Sequence, residues 1–237
     1  MSTLTTAQRR AHYDAFVAEV IELCGVNGVR SALTSGRGRP VEQCDRMKPY
    51  LVARISAFGA RRAHYTIASL IAAQRHLAHE DGPYTPETAF PARGDSAAEV
   101  DDLVSGTAAS GSLADEFLGP QEHGEGLTGK PTQPSAGHAW RTRPNLGTTL
   151  ALAVARHSFK QSRMDDRIRT LTRLPTTLLH PRLWTLTAHL NSRNAARLDF
   201  AVLLEDLAWW DYDRLHIADR WSESYFLTLD RLTLQEN

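Results

Sequence analysis

Apolar side chains recur at three- and four-residue steps along much of the chain, which is the period of an amphipathic α-helix. One stripe in the C-terminal third has five members: Phe200, Leu203, Leu204, Leu207 and Trp210. Asp199 precedes this stripe, at the position where a carboxylate can cap the first turn. A second helix is predicted to start at Asp213, with Ile217, Trp221 and Tyr225 on one face. The segment therefore predicts a helical hairpin whose aromatic side chains pack in a core, in preference to a base-stacking platform.

The same period predicts helices elsewhere. Before residue 81, a helix that Thr6 can cap is followed by the segments VRSALT, KPYLVARISAF and RRAHYTIASLIAAQRHLAH. After residue 140, Asn145 precedes LGTTLALAVARHS, then come DDRIRTLTRL and PRLWTLTAHL, the last set up by Pro175 or Pro181. No alternating β-branched run bounded by turn residues predicts a strand. We expect an all-α fold of about eight helices, four on each side of a central segment.

That central segment has an unusual composition. Residues 81–139 contain nine of the fifteen glycines, six of the eleven prolines, ten acids and only two bases. Such a stretch buries little apolar surface and does not offset its own ordering entropy. We expect residues 1–80 and 141–237 to form two helical halves, joined by a long, flexible, acidic loop over residues 81–140 that is dispensable for folding.

Composition and charge limit the class of protein. The two cysteines, Cys24 and Cys44, are too few for a disulfide framework, and neither a secretory signal nor an apolar run long enough to cross a membrane is present. A cytoplasmic protein without a membrane partner is expected. The formal net charge is zero, but outside residues 81–139 the chain carries 25 bases and 17 acids. Because the chain outside this segment is basic, a nucleic-acid partner is compatible with the net charge of zero.

Candidate catalytic groups are weakly supported. His76 and His79 lie three apart on a predicted helix, but local spacing supplies no third metal ligand. Of the paired carboxylates, we expect 165–166 and 205–206 in helix first turns or on solvated faces. We expect no enzyme, no metal and no cofactor. The alternatives are a small helical metal-dependent phosphohydrolase using these histidines, and a helix-turn-helix regulator.

Arginine is the residue type that points to a function. Bases greatly outnumber acids in residues 27–75 and 141–173, and the guanidinium fork suits pairs of phosphate oxygens. A GC-rich genome also raises arginine content, so a single arginine is more often solvated surface. For the two clusters together, phosphate contact is favoured. The predicted nucleic-acid-binding side chains are Arg61, Arg62, Arg143, Arg156, Lys160, Arg163, Arg167 and Arg173.

The order of motifs in residues 145–228 resembles the CasB family, the small subunit of the type I-E CRISPR surveillance complex Cascade. The motifs are Leu146–Gly147, the arginine-containing helix over 167–173, the segment LDFAVLLEDLAWW, and the closing Arg220, Trp221 and Tyr225. Two departures are the presence of Thr148 where the family often has a base, and the longer acidic segment.

This resemblance implies a non-enzymatic, all-helical subunit that is present in two copies within Cascade. Its implied partners are the other Cascade subunits, a second copy of itself, the crRNA, and the target and non-target DNA strands. Its basic surface would hold the nucleic-acid backbone without sequence preference and stabilise the R-loop and the displaced strand.

Overall fold

A computed structural model of the protein describes residues 4–26, 28–74, 140–156, 159–193 and 197–236. The described ranges contain eight α-helices with both ends described: α1 (Thr6–Cys24), α2 (Val29–Thr34), α3 (Lys48–Ile55), α4 (Arg61–Ala72), α5 (Leu146–Ala155), α6 (Gln161–Leu171), α7 (Thr176–Ser192) and α8 (Phe200–Glu236). Two 3₁₀ turns, Val41–Gln43 and Asp45–Met47, precede α3, and no strand occurs in these ranges. The all-α prediction is confirmed. Apart from Trp140, the predicted acidic loop lies outside the described residues.

The N-cap of helix α1 lies one residue earlier than predicted. Thr5, and not Thr6, is the N-cap, and its hydroxyl accepts from the backbone amide of Gln8 at 3.2 Å. The Gln8 side chain accepts in return from the Thr5 amide, which completes a capping box. The buried face of α1 places Tyr13, Phe16 and neighbouring valines in the core.

The predicted hairpin is present in α8. Asp213 departs from helical geometry, with φ −136° and ψ 38°, and there the helix folds back on itself. The rings of Trp210 and Trp221 lie 4.8 Å apart between centroids, and both side chains are almost fully buried. Asp199 caps the first arm by accepting from the amides of Ala201 and Val202, each at 3.1 Å. The first arm is residues 200–212 and the second arm is residues 214–236.

Helix α5 packs against the second arm of α8 at very close range. A Cβ atom placed on Gly147 would lie only 1.9 Å from the carbonyl oxygen of Trp221. Because backbone atoms on both sides make this contact, only glycine permits it. Asn145 caps α5 through its side chain and also donates to the Ser224 hydroxyl on α8.

One hydrophobic core takes side chains from both predicted halves, since α8 contacts α1 and α4 as well as α5. Trp140 belongs to this core although it was assigned to the acidic loop. Helix α7 starts after Pro175, and Pro181 lies inside it. The part of the chain that is described contains no helix long and apolar enough to cross a membrane.

The expectation that Glu205 and Asp206 lie on a solvated face or in a first turn is wrong, because both are buried in the first arm of α8. Glu205 accepts from the Trp140 indole at 2.6 Å and pairs with Arg10 at 2.9 Å. Asp206 accepts from Arg220 and from the Trp221 indole. Burial raises the pKa of the Asp206 carboxyl to about 6, although Arg220 opposes that change.

Candidate nucleic-acid interface

Three of the predicted contact residues lie on one face at the start of α6. Lys160 is the N-cap residue, and Arg163 and Arg167 follow at steps of three and four, so their side chains share a face. Lys160 and Arg163 are exposed, and Arg167 is half-buried. All three line a hollow of about 720 Å³ between the ends of α5, α6, α7 and α8, which we call the basic groove.

The opposite wall of the basic groove is the C-terminal end of α7. His189 and Arg193, four positions apart, line it. The Nδ1–H of His189 donates to the Thr185 carbonyl at 3.0 Å. A smaller hollow of about 260 Å³ continues from the groove along α6 and α7, with Arg167 and His189 shared and exposed Arg182 added. Cations therefore face each other from two helices.

Carboxylates are absent from the described lining of the basic groove. The two acids of α6 point elsewhere: Asp165 accepts from the Tyr225 hydroxyl at 2.7 Å, and Asp166 lines the smaller hollow. The floor of the groove is apolar, with Phe159, Met164 and Leu229 among its residues. The surface thus combines positive charge at the rim with an uncharged floor, which suits an anionic ligand.

Arg143 does not belong to this surface. Its Nε and Nη2 atoms donate to the two oxygens of Asp199 at 2.6 and 2.7 Å, and its Nη1 atom donates to Asp14 at 2.8 Å. The guanidinium also lies 4.4 Å from the Trp140 ring centroid. Hydrogen bonds to the carboxylates raise the pKa of Arg143 despite its burial. We assign Arg143 to an internal ion-pair network, because each of its three side-chain nitrogens already donates to a carboxylate.

Arg61 and Arg62 start α4, away from the basic groove. Arg61 is exposed, and Arg62 donates to the Thr177 carbonyl at 3.2 Å, near the N-terminus of α7. Thr177 and His189 are twelve positions apart, which is about 18 Å along a helix. Burial, and then the charge of Arg62, lower the pKa of nearby His180 to about 3. These two arginines therefore lie at the far end of α7 from the groove.

The last two predicted residues, Arg156 and Arg173, are exposed at helix ends. Arg156 caps the C-terminus of α5, close to the groove residues Val154 and Ala155. Arg173 lies in the connection between α6 and α7. Neither lines the basic groove.

Sequence reasoning missed Arg182, His189 and Arg193. The predicted basic cluster ends at residue 173. Arg182 and His189 lie on α7 and Arg193 is its C-cap residue, at steps of seven and four that place them along one side of the helix. That stripe was detectable. Its position opposite Lys160 and Arg163 was not, because it depends on how α6 packs against α7.

The metal alternative gains no support from the described residues. His76 and His79 lie outside them, and no group of three or more histidine, cysteine or acidic side chains within the described ranges is placed to hold a metal ion.

Comparison with known proteins decides the family. The model of the CRISPR-associated protein Cse2 family matches residues 29–226, well over half of the chain. The chain belongs to the Cse2 family. This is the CasB family that the sequence resembles, so that prediction is confirmed.

Two solved structures share the fold over nearly the whole chain. A chain of a CRISPR RNA-guided surveillance complex is 22% identical with a TM-score of 0.63, and the match covers 97% of this chain and 99% of that one. A chain of such a complex described as pre-nicking is 23% identical with a TM-score of 0.64, covering 96% and 99%. At this level of identity the likeness concerns the fold. No curated protein sequence matches.

The Cse2 motifs that carried the resemblance are packing residues. Leu146 is buried, Gly147 allows α5 to approach the Trp221 backbone, and Tyr225 is fully buried on the second arm of α8. These motif residues form the α5–α8 contact, and of the groove cations only Arg167 belongs to the motifs.

Proposed function

We propose that this chain is a non-catalytic small subunit of a type I-E Cascade complex, in which the basic groove holds nucleic-acid backbone without sequence preference. The observation that carries the proposal is the meeting of basic side chains of α6 and of the C-terminal end of α7 around the basic groove, whose described lining has no carboxylate. Its partners are the other Cascade subunits, a second copy of the chain, the crRNA and the target and displaced DNA strands.

The physical role of such a groove follows from the energetics of an R-loop. The RNA–DNA heteroduplex is about as stable as the DNA duplex that it replaces, so contacts to the backbone decide the balance. Arginine forks bind pairs of phosphate oxygens and do not read base identity. Sequence is then selected by the guide, and the subunit adds free energy for every matched target alike.

The proposed contact residues centre on Lys160, Arg163 and Arg167, joined by Arg182, His189 and Arg193. Arg61, Arg62, Arg156 and Arg173 extend the surface as outlying sites, at positions that lie on helix ends. Arg143 is excluded.

The test compares two triple variants in a complex reconstituted with crRNA. Lys160→Ala/Arg163→Ala/Arg182→Ala removes exposed cations of the groove and the smaller hollow, and Arg46→Ala/Arg141→Ala/Arg169→Ala removes three exposed cations outside both. Exposed charge contacts contribute roughly 0.5 kcal/mol each, and about 1.4 kcal/mol is a tenfold change. We therefore expect the groove variant to destabilise the R-loop about tenfold and the control to leave it unchanged.

Assembly is the second readout of the same experiment. Both variants should co-purify with the other subunits at wild-type stoichiometry, because the substituted side chains are exposed. Normal assembly of the groove variant together with a wild-type R-loop lifetime would contradict a role of the groove in holding nucleic acid.

A further inference from the structure

We propose that the basic groove contains a subsite for an unpaired nucleobase, which stacks on Phe159 between the cations of α6 and α7. This rests on the proposed function of the groove and goes beyond it, since it names an unpaired nucleotide, in DNA or RNA, as the bound species.

The first argument is the chemistry of the lining. Besides its cations, the groove has six apolar residues: Val154, Ala155, Phe159, Met164, Leu229 and Leu232. A duplex presents phosphates and sugars to a protein surface and keeps the faces of its bases stacked inside, so it has nothing to place on an apolar floor. An unpaired nucleotide has both parts, a phosphate for the rim and an aromatic face for the floor.

The second argument is the closeness of Phe159 to two guanidinium groups. Arg193 lies 5.1 Å from the Phe159 ring centroid, and Arg167 lies 5.8 Å from it. The ring is half-buried and lines the groove. Aromatic rings and arginine planes are the surfaces on which proteins stack unpaired bases, and here one ring and two guanidiniums lie together.

The third argument is an unused donor. The Nη1 atom of Arg167 is buried and has no acceptor among the described residues. A buried guanidinium nitrogen without an acceptor is costly, and a rotation of the Arg167 side chain into the groove would bring this nitrogen to an oxygen of a base or of a phosphate. Arg167 lines both hollows, so it lies where the strand would pass from one to the other.

Charge decides the class of occupant. An apolar peptide segment would cover the floor but would desolvate Lys160, Arg163 and Arg167 without a counter-charge, since no carboxylate is found in the described lining. A nucleotide strand covers the same floor and brings one negative charge per residue.

The experiment uses the full-length chain at low salt and measures its affinity by fluorescence anisotropy. The probes have equal length: a thymidine strand, a uridine strand, an abasic DNA strand and a thymidine–adenine duplex. Stacking of one base changes affinity about 5- to 150-fold. We expect the thymidine strand to bind more tightly than the abasic strand by a factor in this range, and more tightly than the duplex. A ratio of thymidine to uridine binding above or below one assigns the subsite to DNA or to RNA.

Variants separate the base subsite from the backbone contacts. Phe159→Leu keeps an apolar floor but removes the ring, so the thymidine and abasic affinities should become equal while the abasic affinity stays at the wild-type value. Phe226→Leu is the matched control, because Phe226 is an exposed ring outside the groove. The variant Lys160→Ala/Arg163→Ala/Arg182→Ala should weaken the thymidine and abasic strands by the same factor.

The outcomes distinguish the two proposals. Equal binding of thymidine and abasic strands by the wild type, with both weakened in the triple variant, overturns the base subsite and leaves backbone binding intact. Duplex binding as tight as single-strand binding overturns the base subsite as well. A triple variant that binds every probe as the wild type does overturns the proposed function of the groove itself.

Discussion

The Trp221 indole donates a 2.6 Å hydrogen bond to Asp206, fifteen positions earlier in the same helix. In a straight helix these residues would be about 22 Å apart. The bond therefore joins the two arms of α8 across the break at Asp213, and Arg220 donates to the other oxygen of the same buried carboxylate. A polar contact inside the core thus fixes the hairpin against which α5 packs.

Truncation of the tryptophans that face this core should be strongly destabilising. Trp210→Ala and Trp221→Ala each remove a buried indole, so each should lower the free energy of unfolding by about 3–5 kcal/mol in urea titrations. The matched control is Trp209→Ala: this neighbour of Trp210 is 39% exposed, and its truncation should cost about 1 kcal/mol or less. Equal losses at positions 209 and 210 would contradict the packing of the first arm.

A methyl group at position 147 should disturb the contact between α5 and α8. The added Cβ of Gly147→Ala would meet backbone atoms of Trp221 and Tyr225, which cannot rotate away. We expect a loss of about 1–3 kcal/mol or more in chemical unfolding. Gly59→Ala has open space around its Cβ, so it should leave stability unchanged or slightly raised. A Gly147→Ala variant as stable as wild type would mean that the helices do not approach this closely.

The fold was largely predictable because its stripes and caps are local signals. The period of α8 located Trp210 and Trp221 in the core, and Asp199 caps the first arm as expected. Glu205 and Asp206 were placed wrongly, because two adjacent acids in a helical segment predict a solvent-exposed face. Glu205 is buried because Arg10 and Trp140 donate to it, and Asp206 is buried because Arg220 donates to it. No local sequence pattern reveals these pairs.

The candidate site was only partly predictable for the same reason. The spacing of Lys160, Arg163 and Arg167 marked one cationic face, but the opposing wall follows from how α7 packs. The pairing of Arg143 could not be predicted, because the carboxylates that bind it, Asp14 and Asp199, lie 129 and 56 positions away. A high local content of basic residues shows that phosphate contact is possible. Which guanidinium groups remain available depends on the carboxylates that the fold brings next to them.

The salt dependence of binding should report the groove cations directly. Each phosphate contact to a single strand contributes about −0.7 to the slope of log affinity against log salt concentration. Lys160→Ala/Arg163→Ala/Arg182→Ala should therefore flatten the slope by about 2 units for every sequence tested. The variant Arg46→Ala/Arg141→Ala/Arg169→Ala loses the same number of charges outside the groove and should keep the wild-type slope. Equal flattening in both variants would indicate a diffuse electrostatic effect with no localised site.

Stability should fall as the pH drops from about 6.5 to about 4, because buried histidines must stay neutral in the folded state. His12 stacks on Phe58, with ring centroids 3.2 Å apart, and its Nε2 atom lies 3.1 Å from that of His64. Burial, and then the neighbouring His64, lower the pKa of His12 to about 4, and burial also lowers the pKa of His64. An unfolded histidine titrates near 6.5, so below that pH the unfolded state binds more protons than the folded state.

Urea unfolding of the wild type and of a His12 variant between about pH 7.5 and pH 4.5 measures the contribution of His12 to this fall. A variant is needed because carboxylates with lowered pKa values also reduce the stability of the wild type as the pH falls. His12→Gln keeps a hydrogen-bonding group beside His64 but does not titrate, so its stability should fall less steeply than that of the wild type. His216→Gln, at an exposed position on α8, is the control and should follow the wild-type profile. If His12→Gln retained the full wild-type fall, the proton uptake on unfolding would come from groups other than the His12–His64 pair, and the close approach of their rings would have no consequence for stability.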